Sequence, residues 1–355
     1  MIDFGKKREE ISRHSQKLVS NMKEKISILG AGSWGTTLAI ILSRKSNLEI
    51  TLWSPFEKEV KKIIKNQENK DFLPSVKIPF NISITSDLKT ALSRHIIIIA
   101  VPVEYLRAVL KKISNTKVKL KDKIFISVMK GIEIKSLKRP SEIIKQELNI
   151  NSKQIVVLSG PTIAKEIAKD IPAVATVASR SHANAKKIQE LFKETNLRLY
   201  TNSDVAGIET AGALKNVIAI ACGISDGLGF GTNTKSALIC RGLKEMMRFA
   251  RALKINEKAF LGISGIGDLC TTCFSVLSRN RYVGEKIGKG VKIGSILENM
   301  KMVAEGVTTV KSVYNLSVKY KIDMPITKEI YCMLYKNKAP VQAVKDLMNR
   351  PLKVE

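Results

Sequence analysis

Two patterns of apolar and polar positions alternate along the first half of the chain. Short runs of Ile, Val and Leu are separated by longer stretches in which apolar residues recur at the spacing of an amphipathic helix. The longest run, IIIIAVP at residues 96–102, is typical of a strand buried on both faces of a parallel sheet. The alternation predicts a doubly wound, mainly parallel sheet with crossover helices. Strands are expected at KISIL before Gly30 and at residues 48–53, 82–85, 96–102, 123–131, 154–161, 173–179 and 197–201, with helices at 103–113 and 140–148 among the connections.

The pattern changes near Ser203. Beyond it helical periodicity dominates, including a stretch at residues 298–321, and a final helix pair is expected from Pro325. We therefore predict an α/β fold in which a Rossmann-type domain precedes an all-α domain. The expected divisions are a basic tail at residues 1–23, either disordered or left by an upstream translation start, the Rossmann-type domain at 24–203 and the helical domain at 204–355.

A glycine-rich turn links the first predicted strand to the first predicted helix. Gly30, Gly32 and Gly35 have GxGxxG spacing, and the chain continues as TTLAIILSR. In this setting the first glycine permits a sharp turn, the second lets backbone approach a pyrophosphate, and the third lets the helix pack on the strand. The N–H groups of the new helix then face the phosphates. A glycine turn without a nucleotide is the alternative, but the order strand, turn, helix favours a bound dinucleotide.

The chain is strongly basic. Its 60 lysines and arginines against 32 acidic residues give a formal charge of +28. The basic residues are scattered and aromatic residues make up only 5% of the chain, so neither a basic stripe nor a stacking platform for single strands is evident. Nucleic-acid binding therefore stays a minor alternative, and the positive field favours small anionic ligands.

Membrane spans and metal sites are not indicated. No apolar run approaches the roughly 20 residues that span a bilayer. Five cysteines without a signal peptide indicate a reducing compartment, which predicts a cytoplasmic protein. Cys270 and Cys273 have CxxC spacing, but no second pair accompanies them, so we expect a chance pair and no metal.

The few histidines narrow the acid–base chemistry. His14, His95 and His182 are the only ones, and none falls in a motif. A lysine with a depressed pKa is the natural substitute. Lys215 lies in the otherwise apolar run AGALKNVIAIACG, where a charge needs a partner or a chemical role. The alternative is a lysine that reaches solvent from the edge of a buried helix. Lys130, which follows the apolar run IFISVM, is a weaker candidate.

Three further polar segments are candidates for ligand contacts. Gly160 and Thr162 follow the run VVLSG, where the threonine either holds a ligand or caps a helix. Asp268 ends the segment GIGD. The segment Ser278-Arg279-Asn280-Arg281 suits phosphate binding because arginine forms bidentate, charge-assisted hydrogen bonds. An interhelical salt bridge is the alternative explanation for one of the two arginines.

These motifs together resemble the bacterial-type, NAD(P)-dependent sn-glycerol-3-phosphate dehydrogenases. The resemblance runs from Lys25 to Leu347. It implies reversible hydride transfer between dihydroxyacetone phosphate and sn-glycerol 3-phosphate, which supplies the backbone of phospholipids, by a cytoplasmic homodimer. The shared segments are GAGSWGTTLA, the strand ending AVP, SVMKGIE, SGPTIAKEI, LKNVIAIACGISDGLGFGTNTKSALICRGL, GIGDLCTTC, LSRNR, VAEG and MPITKEIY.

The resemblance also implies roles for individual residues. Lys215 matches the proton acceptor, and Lys130 is expected to contact both cofactor and substrate. The other expected cofactor contacts are Gly30, Gly32, Ser33, Trp34, Gly35, Ala164, Arg279, Val303 and Glu305. The expected substrate contacts are Lys130, Gly160, Thr162, Lys215, Asp268, Ser278, Arg279 and Asn280.

One departure from the family leaves the choice between NAD and NADP open. The family usually has a basic residue after the second strand, whereas this chain has Pro55 within Trp-Ser-Pro-Phe. No Asp or Glu stands at that strand end to bind a ribose 2′-hydroxyl either. A related two-domain dehydrogenase acting on a hydroxy acid or sugar acid remains the nearest alternative function, and a basic nucleic-acid-binding protein a more distant one.

Overall fold

The computed structural model describes residues 23–352 and Val354, and most of the expected tail at residues 1–23 lies outside that range. Eight strands form one sheet in the order β3-β2-β1-β4-β5-β6-β7-β8. The strands are β1 (Glu24–Leu29), β2 (Leu48–Trp53), β3 (Ile82–Thr85), β4 (Ile96–Ile99), β5 (Ile124–Ser127), β6 (Ile155–Ser159), β7 (Ala173–Ser179) and β8 (Leu197–Asn202).

The centre of the sheet is the β4 strand that the sequence pattern singles out. All four of its isoleucines are fully buried, and the strand pairs in parallel with β1 on one side and β5 on the other. Side chains on both faces of such a strand lie under helices, which is why no polar residue interrupts the run. The predicted mainly parallel sheet is confirmed.

Among the strand pairs of the described residues, only β6–β7 is antiparallel. Strand β6 ends at Ser159 and β7 starts at Ala173. Because the two strands run in opposite directions, the connection at residues 160–172 stays at one edge of the sheet. That edge also holds the carboxyl ends of β1, β2, β4 and β5, and ligands in open α/β sheets bind at this position.

Seven α-helices connect the strands in the part of the chain that the structure describes. The predicted helix at 140–148 has those bounds in the structure, and the one predicted at 103–113 extends two residues further. The helices are α1 (Ser33–Ser43), α2 (Glu57–Asn66), α3 (Leu88–Leu92), α4 (Val103–Asn115), α5 (Pro140–Leu148), α6 (Ala164–Ala168) and α7 (His182–Leu191).

Helices make up the rest of the described chain. The predicted helical stretch at 298–321 is interrupted in the structure: residues 299–304 separate two helices, so the prediction of continuous periodicity was wrong there. The helices are α8 (Val205–Gly227), α9 (Thr232–Ala252), α10 (Asp268–Phe274), α11 (Arg279–Gly288), α12 (Ile293–Glu298), α13 (Glu305–Lys319), α14 (Pro325–Tyr335) and α15 (Pro340–Met348), and a π-helical turn at Ile263–Gly267 leads into α10.

Helix α8 is the axis of this helical half. Among the described helices it alone has the length and hydropathy of a membrane span, but 89% of its apolar window is buried inside the protein. It is therefore a core helix. An almost uniformly apolar helix is expected where neighbours surround it on all sides.

Glycines bring α8 and α11 into close contact. A Cβ atom at Gly223 would lie 2.0 Å from the carbonyl oxygen of Arg281, and one at Gly284 would lie 2.1 Å from that of Ile220. Either added methyl group would overlap the opposite backbone. The tight crossing fixes the start of α11, which carries Arg279, beside the middle of α8.

Candidate functional site

The glycine turn has the geometry of a phosphate-binding loop. Gly30 has φ +117°, and a Cβ atom there would lie 2.7 Å from the carbonyl oxygen of Ala100. A Cβ atom at Gly35 would lie 1.9 Å from the carbonyl oxygen of Gly30, so only glycine lets α1 pack this closely on β1.

The N-terminus of α1 is suited to a pyrophosphate. Its N-cap residue, Gly32, provides no side-chain cap, and the first turn contains no acidic residue. A Cβ atom at Gly32 would meet no protein atom within 4 Å, so packing does not require glycine at this position. Ser33 and Trp34 open the helix beside it. Free N–H groups at a helix start are a ready anion site, and a dinucleotide therefore fits these residues.

Two lysines share one buried carboxylate at the same edge of the sheet. The Nζ atom of Lys130, from the segment after β5, donates to Asp268 Oδ2 at 2.7 Å. The Nζ atom of Lys215, on α8, donates to Asp268 Oδ1 at 3.1 Å. Lys215 is 6% exposed and Asp268 2% exposed. The structure thus brings together three residues that the sequence placed far apart.

Thr272, which is not among the site residues predicted from the sequence, completes this cluster. Lys215 Nζ donates to Thr272 Oγ1 at 2.6 Å, and the threonine hydroxyl lies 2.7 Å from the carbonyl oxygen of Asp268. The two residues are one helical turn apart on α10. Its i, i+4 spacing from the candidate Asp268 is the one feature of the sequence that could have indicated Thr272.

The cluster changes the pKa values of its members. Burial is the main cause that lowers the pKa of Lys215 to about 8, with Lys130 acting in the same direction and Asp268 opposing it. Burial alone raises the pKa of Asp268, but the two ammonium groups outweigh it and hold that pKa below its ordinary value. At neutral pH the carboxylate is therefore charged, and Lys215 can exchange a proton near physiological pH.

Gly160 and Thr162 lie against Lys130. The Nζ atom of Lys130 donates to the carbonyl oxygen of Gly160 at 2.7 Å and to Thr162 Oγ1 at 3.3 Å. Of the two alternatives for Thr162, the helix cap is excluded, because Ile163 is the N-cap of α6 and the threonine hydroxyl instead donates to Gly160 O at 3.0 Å. Both residues belong to the lysine cluster.

A chain of amides connects the cluster to α11 and α13. Asn216 Nδ2 donates to the carbonyl oxygen of Lys130 at 3.0 Å, and Asn280 Nδ2 donates to Asn216 Oδ1 at 2.8 Å. The backbone N–H of Gly306 donates to Asn280 Oδ1 at 3.0 Å. Asn280 thus has a framework role that the sequence did not show, and its contact with a substrate stays a prediction.

The two arginines at the start of α11 differ in their partners. Arg281 pairs with Asp226 of α8 at 2.6 Å, which is the interhelical salt bridge expected for one of them. Arg279 is exposed and donates from Nη1 to the carbonyl oxygen of Val303 at 2.8 Å. Ser278 is the N-cap of α11, and its hydroxyl accepts from the N–H of Arg281 at 3.2 Å. Arg279 is therefore the arginine available to an anionic ligand.

Glu305 links the segment around Arg279 and Val303 to the chain that follows the carboxyl end of β4. Its Oε1 atom accepts from the N–H of Val103, the first residue of α4, at 3.1 Å. Burial raises the pKa of Glu305, and Arg279 opposes that shift. Ala164, the remaining expected cofactor contact, opens α6, and its carbonyl oxygen accepts from Thr37 of α1 at 3.2 Å. Helix α1 thus contacts α6, and Glu305 contacts the start of α4, whereas contact of these residues with a cofactor stays a prediction.

A glycine turn at the carboxyl edge of a Rossmann-type sheet, with a buried lysine of depressed pKa on the facing helix, defines a nicotinamide-dinucleotide-dependent dehydrogenase. The family models agree in detail. Residues 25–185 match the N-terminal model of NAD-dependent glycerol-3-phosphate dehydrogenase, and residues 204–345 match its C-terminal model. The chain belongs to the NAD-dependent glycerol-3-phosphate dehydrogenase family.

Individual relatives agree with this membership along almost the whole chain. Glycerol-3-phosphate dehydrogenase [NAD(P)+] of Thermoanaerobacter sp. (strain X514) is 48% identical over 93% of this chain and 98% of the relative. The enzyme of the same name from Citrifermentans bemidjiense is 46% identical over 94% of this chain and 99% of the relative. The crystal structure of glycerol-3-phosphate dehydrogenase from Coxiella burnetii superposes with a TM-score of 0.87 at 34% identity, covering 92% of this chain and 99% of that one. The chain is accordingly an NAD(P)-dependent oxidoreductase.

Proposed function

We propose that this chain interconverts dihydroxyacetone phosphate and sn-glycerol 3-phosphate, and that Lys215 is its acid–base residue. The observation that carries the proposal is the Lys215–Asp268–Lys130 cluster, which lies at the same edge of the sheet as the glycine turn. Reduction of a ketone needs a hydride and a proton at separate atoms. A nicotinamide held at the glycine turn would supply the hydride, and a lysine whose pKa is about 8 is suited to the proton.

Lys215 holds the proton at the oxygen of C2. In the reducing direction its ammonium group donates that proton while C2 gains the hydride, and in the oxidising direction the neutral amine takes it back. Both Lys215 and Lys130 place positive charge where alkoxide character develops, which stabilises the transition state. Neither described histidine lies in this cluster: His95 precedes β4 at the opposite edge of the sheet, and His182 opens α7.

Asp268 and Thr272 position the reacting ammonium group. The carboxylate accepts from both lysines, and Thr272 Oγ1 accepts from Lys215 at 2.6 Å. Lys215 is thus held by two acceptors on successive turns of one helix, α10. Its freedom to turn away from a substrate oxygen is small, and orientation of this kind is a large part of catalysis.

Arg279 is proposed to bind the substrate phosphate. It is the exposed member of the arginine pair, whereas Arg281 is committed to Asp226. A guanidinium group binds phosphate oxygens through paired, charge-assisted hydrogen bonds. Binding energy from that remote group then positions C2 against the nicotinamide. Gly160, Thr162, Ser278 and Asn280 are further proposed substrate contacts.

The cellular setting is also a proposal. We infer a cytoplasmic homodimer that supplies glycerol phosphate for phospholipid synthesis. All five cysteines are free thiols in the structure, which suits a reducing compartment. Light scattering on the purified chain tests the dimer, because a mass of about 39 kDa, that of one chain, contradicts it.

Steady-state kinetics test the reaction itself. The purified chain is assayed for oxidation of NADH and NADPH with dihydroxyacetone phosphate, and in parallel with 2-keto acids and sugar acids. We expect turnover with dihydroxyacetone phosphate at a kcat/KM at least about a hundredfold above that of the keto acids, because those substrates lack the phosphate. The proposal is contradicted if a keto acid is turned over at a comparable rate, or if dihydroxyacetone phosphate is not turned over at all.

A further inference from the structure

The carboxyl end of β2 lies directly beside the glycine turn. The N–H of Gly30 donates to the carbonyl oxygen of Trp53, the last residue of β2, at 2.9 Å, and the N–H of Ser54 donates to Thr85 O at 3.1 Å. Residues that follow this strand therefore share an edge with the pyrophosphate site. In dinucleotide-binding folds, a side chain at this position meets the adenosine ribose and separates NAD from NADP.

In the sequence no Asp or Glu stands at the end of β2, but folding brings a carboxylate to that place. Ser54 is 1% exposed, and its hydroxyl donates to Glu59 Oε2 at 2.5 Å. The N–H of Phe56 donates to the same Ser54 oxygen at 3.4 Å. Glu59 lies in the first turn of α2, five positions beyond Ser54. The start of the helix thus returns an acidic group to the end of β2.

Two of the four lysines of α2 have partners away from Ser54. Lys61 pairs with Glu57 at 2.7 Å, and Lys62 pairs with Asp71 at 2.7 Å. Within the described chain, no hydrogen bond or ion pair joins a basic side chain to Glu59. Lys58 is exposed next to Glu59 in sequence and has no ion pair with it. No basic side chain of the described residues thus pairs with the Glu59 carboxyl group that Ser54 contacts.

The next strand end carries a second acid. Asp87, two residues after β3, caps α3 by accepting from the N–H groups of Lys89 and Thr90, each at 3.0 Å. Pro55, where the family usually has a base, provides no charge. A 2′-phosphate carries about −1.5 to −2 charges at neutral pH and would meet acids rather than a guanidinium at this edge.

We propose that Glu59, held by Ser54, makes this enzyme prefer NAD over NADP. The carboxylate accepts a hydrogen bond from a ribose 2′-hydroxyl and repels a 2′-phosphate. This inference rests on the proposed function, because it assumes that the glycine turn binds the dinucleotide of that reaction. It adds a specificity-determining residue that lies outside the glycine motif and outside the lysine cluster.

Direct binding tests the inference on the full chain without turnover. Dissociation constants for NADH and NADPH are measured by quenching of tryptophan fluorescence for the wild type, Glu59→Gln and Glu57→Gln. The last variant is the matched control, since it removes the same charge from the same helical turn without touching Ser54. We expect the wild type to bind NADH about tenfold tighter, and Glu59→Gln to bind NADPH about fivefold to tenfold tighter than the wild type does, as screened repulsion over a few ångströms implies.

A second variant keeps the test independent of the Ser54–Glu59 hydrogen bond. Pro55→Arg adds a base at the exposed position before α2, and we expect it to tighten NADPH binding while NADH binding changes less than about threefold. Equal wild-type affinities for the two cofactors overturn the proposal, as does an equal shift in Glu57→Gln and Glu59→Gln. Failure to reduce dihydroxyacetone phosphate overturns the proposed reaction instead, because cofactor binding is measured without substrate.

Discussion

Lys130 Nζ and Asp268 Oδ2 lie 2.7 Å apart, although 138 residues separate them in the chain. Lys130 follows β5 of the sheet, whereas Asp268 begins α10 of the helical half. One ion pair thus joins the two halves of the molecule at the site. Lys215 donates to the other oxygen of the same carboxylate, so the proposed acid–base residue is positioned by contacts from both halves.

Replacing Lys215 with methionine removes the ammonium group and keeps most of the side-chain volume. We expect kcat for dihydroxyacetone phosphate to fall at least about a thousandfold, since both the proton and the nearby positive charge are lost. Binding of NADH, measured by fluorescence, stays within a few-fold of the wild type. The exposed Lys319→Met is the matched control and retains activity. A kcat for Lys215→Met near that of the wild type removes this residue as the acid–base group.

The pKa of Lys215 sets opposite pH profiles for the two directions. Reduction needs the protonated amine, so its kcat/KM is expected to decline above a pH of about 8, whereas oxidation needs the neutral amine and rises up to that pH. Rates measured between pH 7 and 9.5 in both directions check this expectation. If the rates of reduction and oxidation change in the same direction with pH, the titrating group is not Lys215.

Thr272 is expected to be a positioning residue rather than a reacting one. Thr272→Val removes the acceptor of Lys215 and leaves the buried ammonium group with Asp268 alone. Since a hydrogen bond to the charged form is lost, the pKa of Lys215 falls, and the alkaline decline of the reduction rate moves to lower pH. We expect kcat to drop about tenfold, with recovery in Thr272→Ser. A lower kcat with an unmoved pH profile would mean a purely structural role.

Arg279→Ala tests the phosphate contact. Loss of a guanidinium–phosphate pair is expected to raise KM for dihydroxyacetone phosphate at least about tenfold. The same change should leave the slow reduction of unphosphorylated dihydroxyacetone almost unaltered, because that substrate has no phosphate to bind. An equal loss for both substrates would place Arg279 in the framework or at the cofactor instead.

The parts of the site that follow from local pattern were visible in the sequence. The glycine spacing predicted the turn at Gly30, and the apolar surroundings of Lys215 predicted a buried charge with a partner. Because burial of an ionisable group is costly, a lysine within an apolar run stands out in the sequence. The strand and helix order was likewise predicted, since periodicity is a local property.

Partnerships across elements could not be read in the same way. Thr272 is an ordinary helical threonine until α10 packs against α8, and Glu59 is an ordinary surface acid until α2 turns back to Ser54. The hydrogen bond from Asn280 to Asn216 likewise depends on the close crossing of α8 and α11. Such pairings depend on tertiary geometry that sequence spacing does not encode.

Glu209 provides a prediction about stability rather than activity. This buried residue of α8 accepts from the N–H of Ser141, in the first turn of α5, at 2.8 Å. Burial raises its pKa from 4.5 to about 7, with Arg139 and Ser141 opposing the shift. Between these two values the folded chain holds a proton that the unfolded chain has lost, so the free energy of unfolding decreases as pH rises from 4.5 to 7.

Glu209→Gln should remove this contribution, because the amide resembles the protonated acid in shape and has no charge to bury. We expect the variant to gain stability relative to the wild type, by about 1 to 3 kcal/mol, as pH rises from 5 to 8. Urea unfolding of both proteins at the two pH values measures the difference. The exposed Glu298→Gln is the control and should show no such gain. If the Glu209→Gln difference is the same at both pH values, the carboxyl group is already ionised throughout that range, and its link to α5 is a permanent charge at a helix N-terminus.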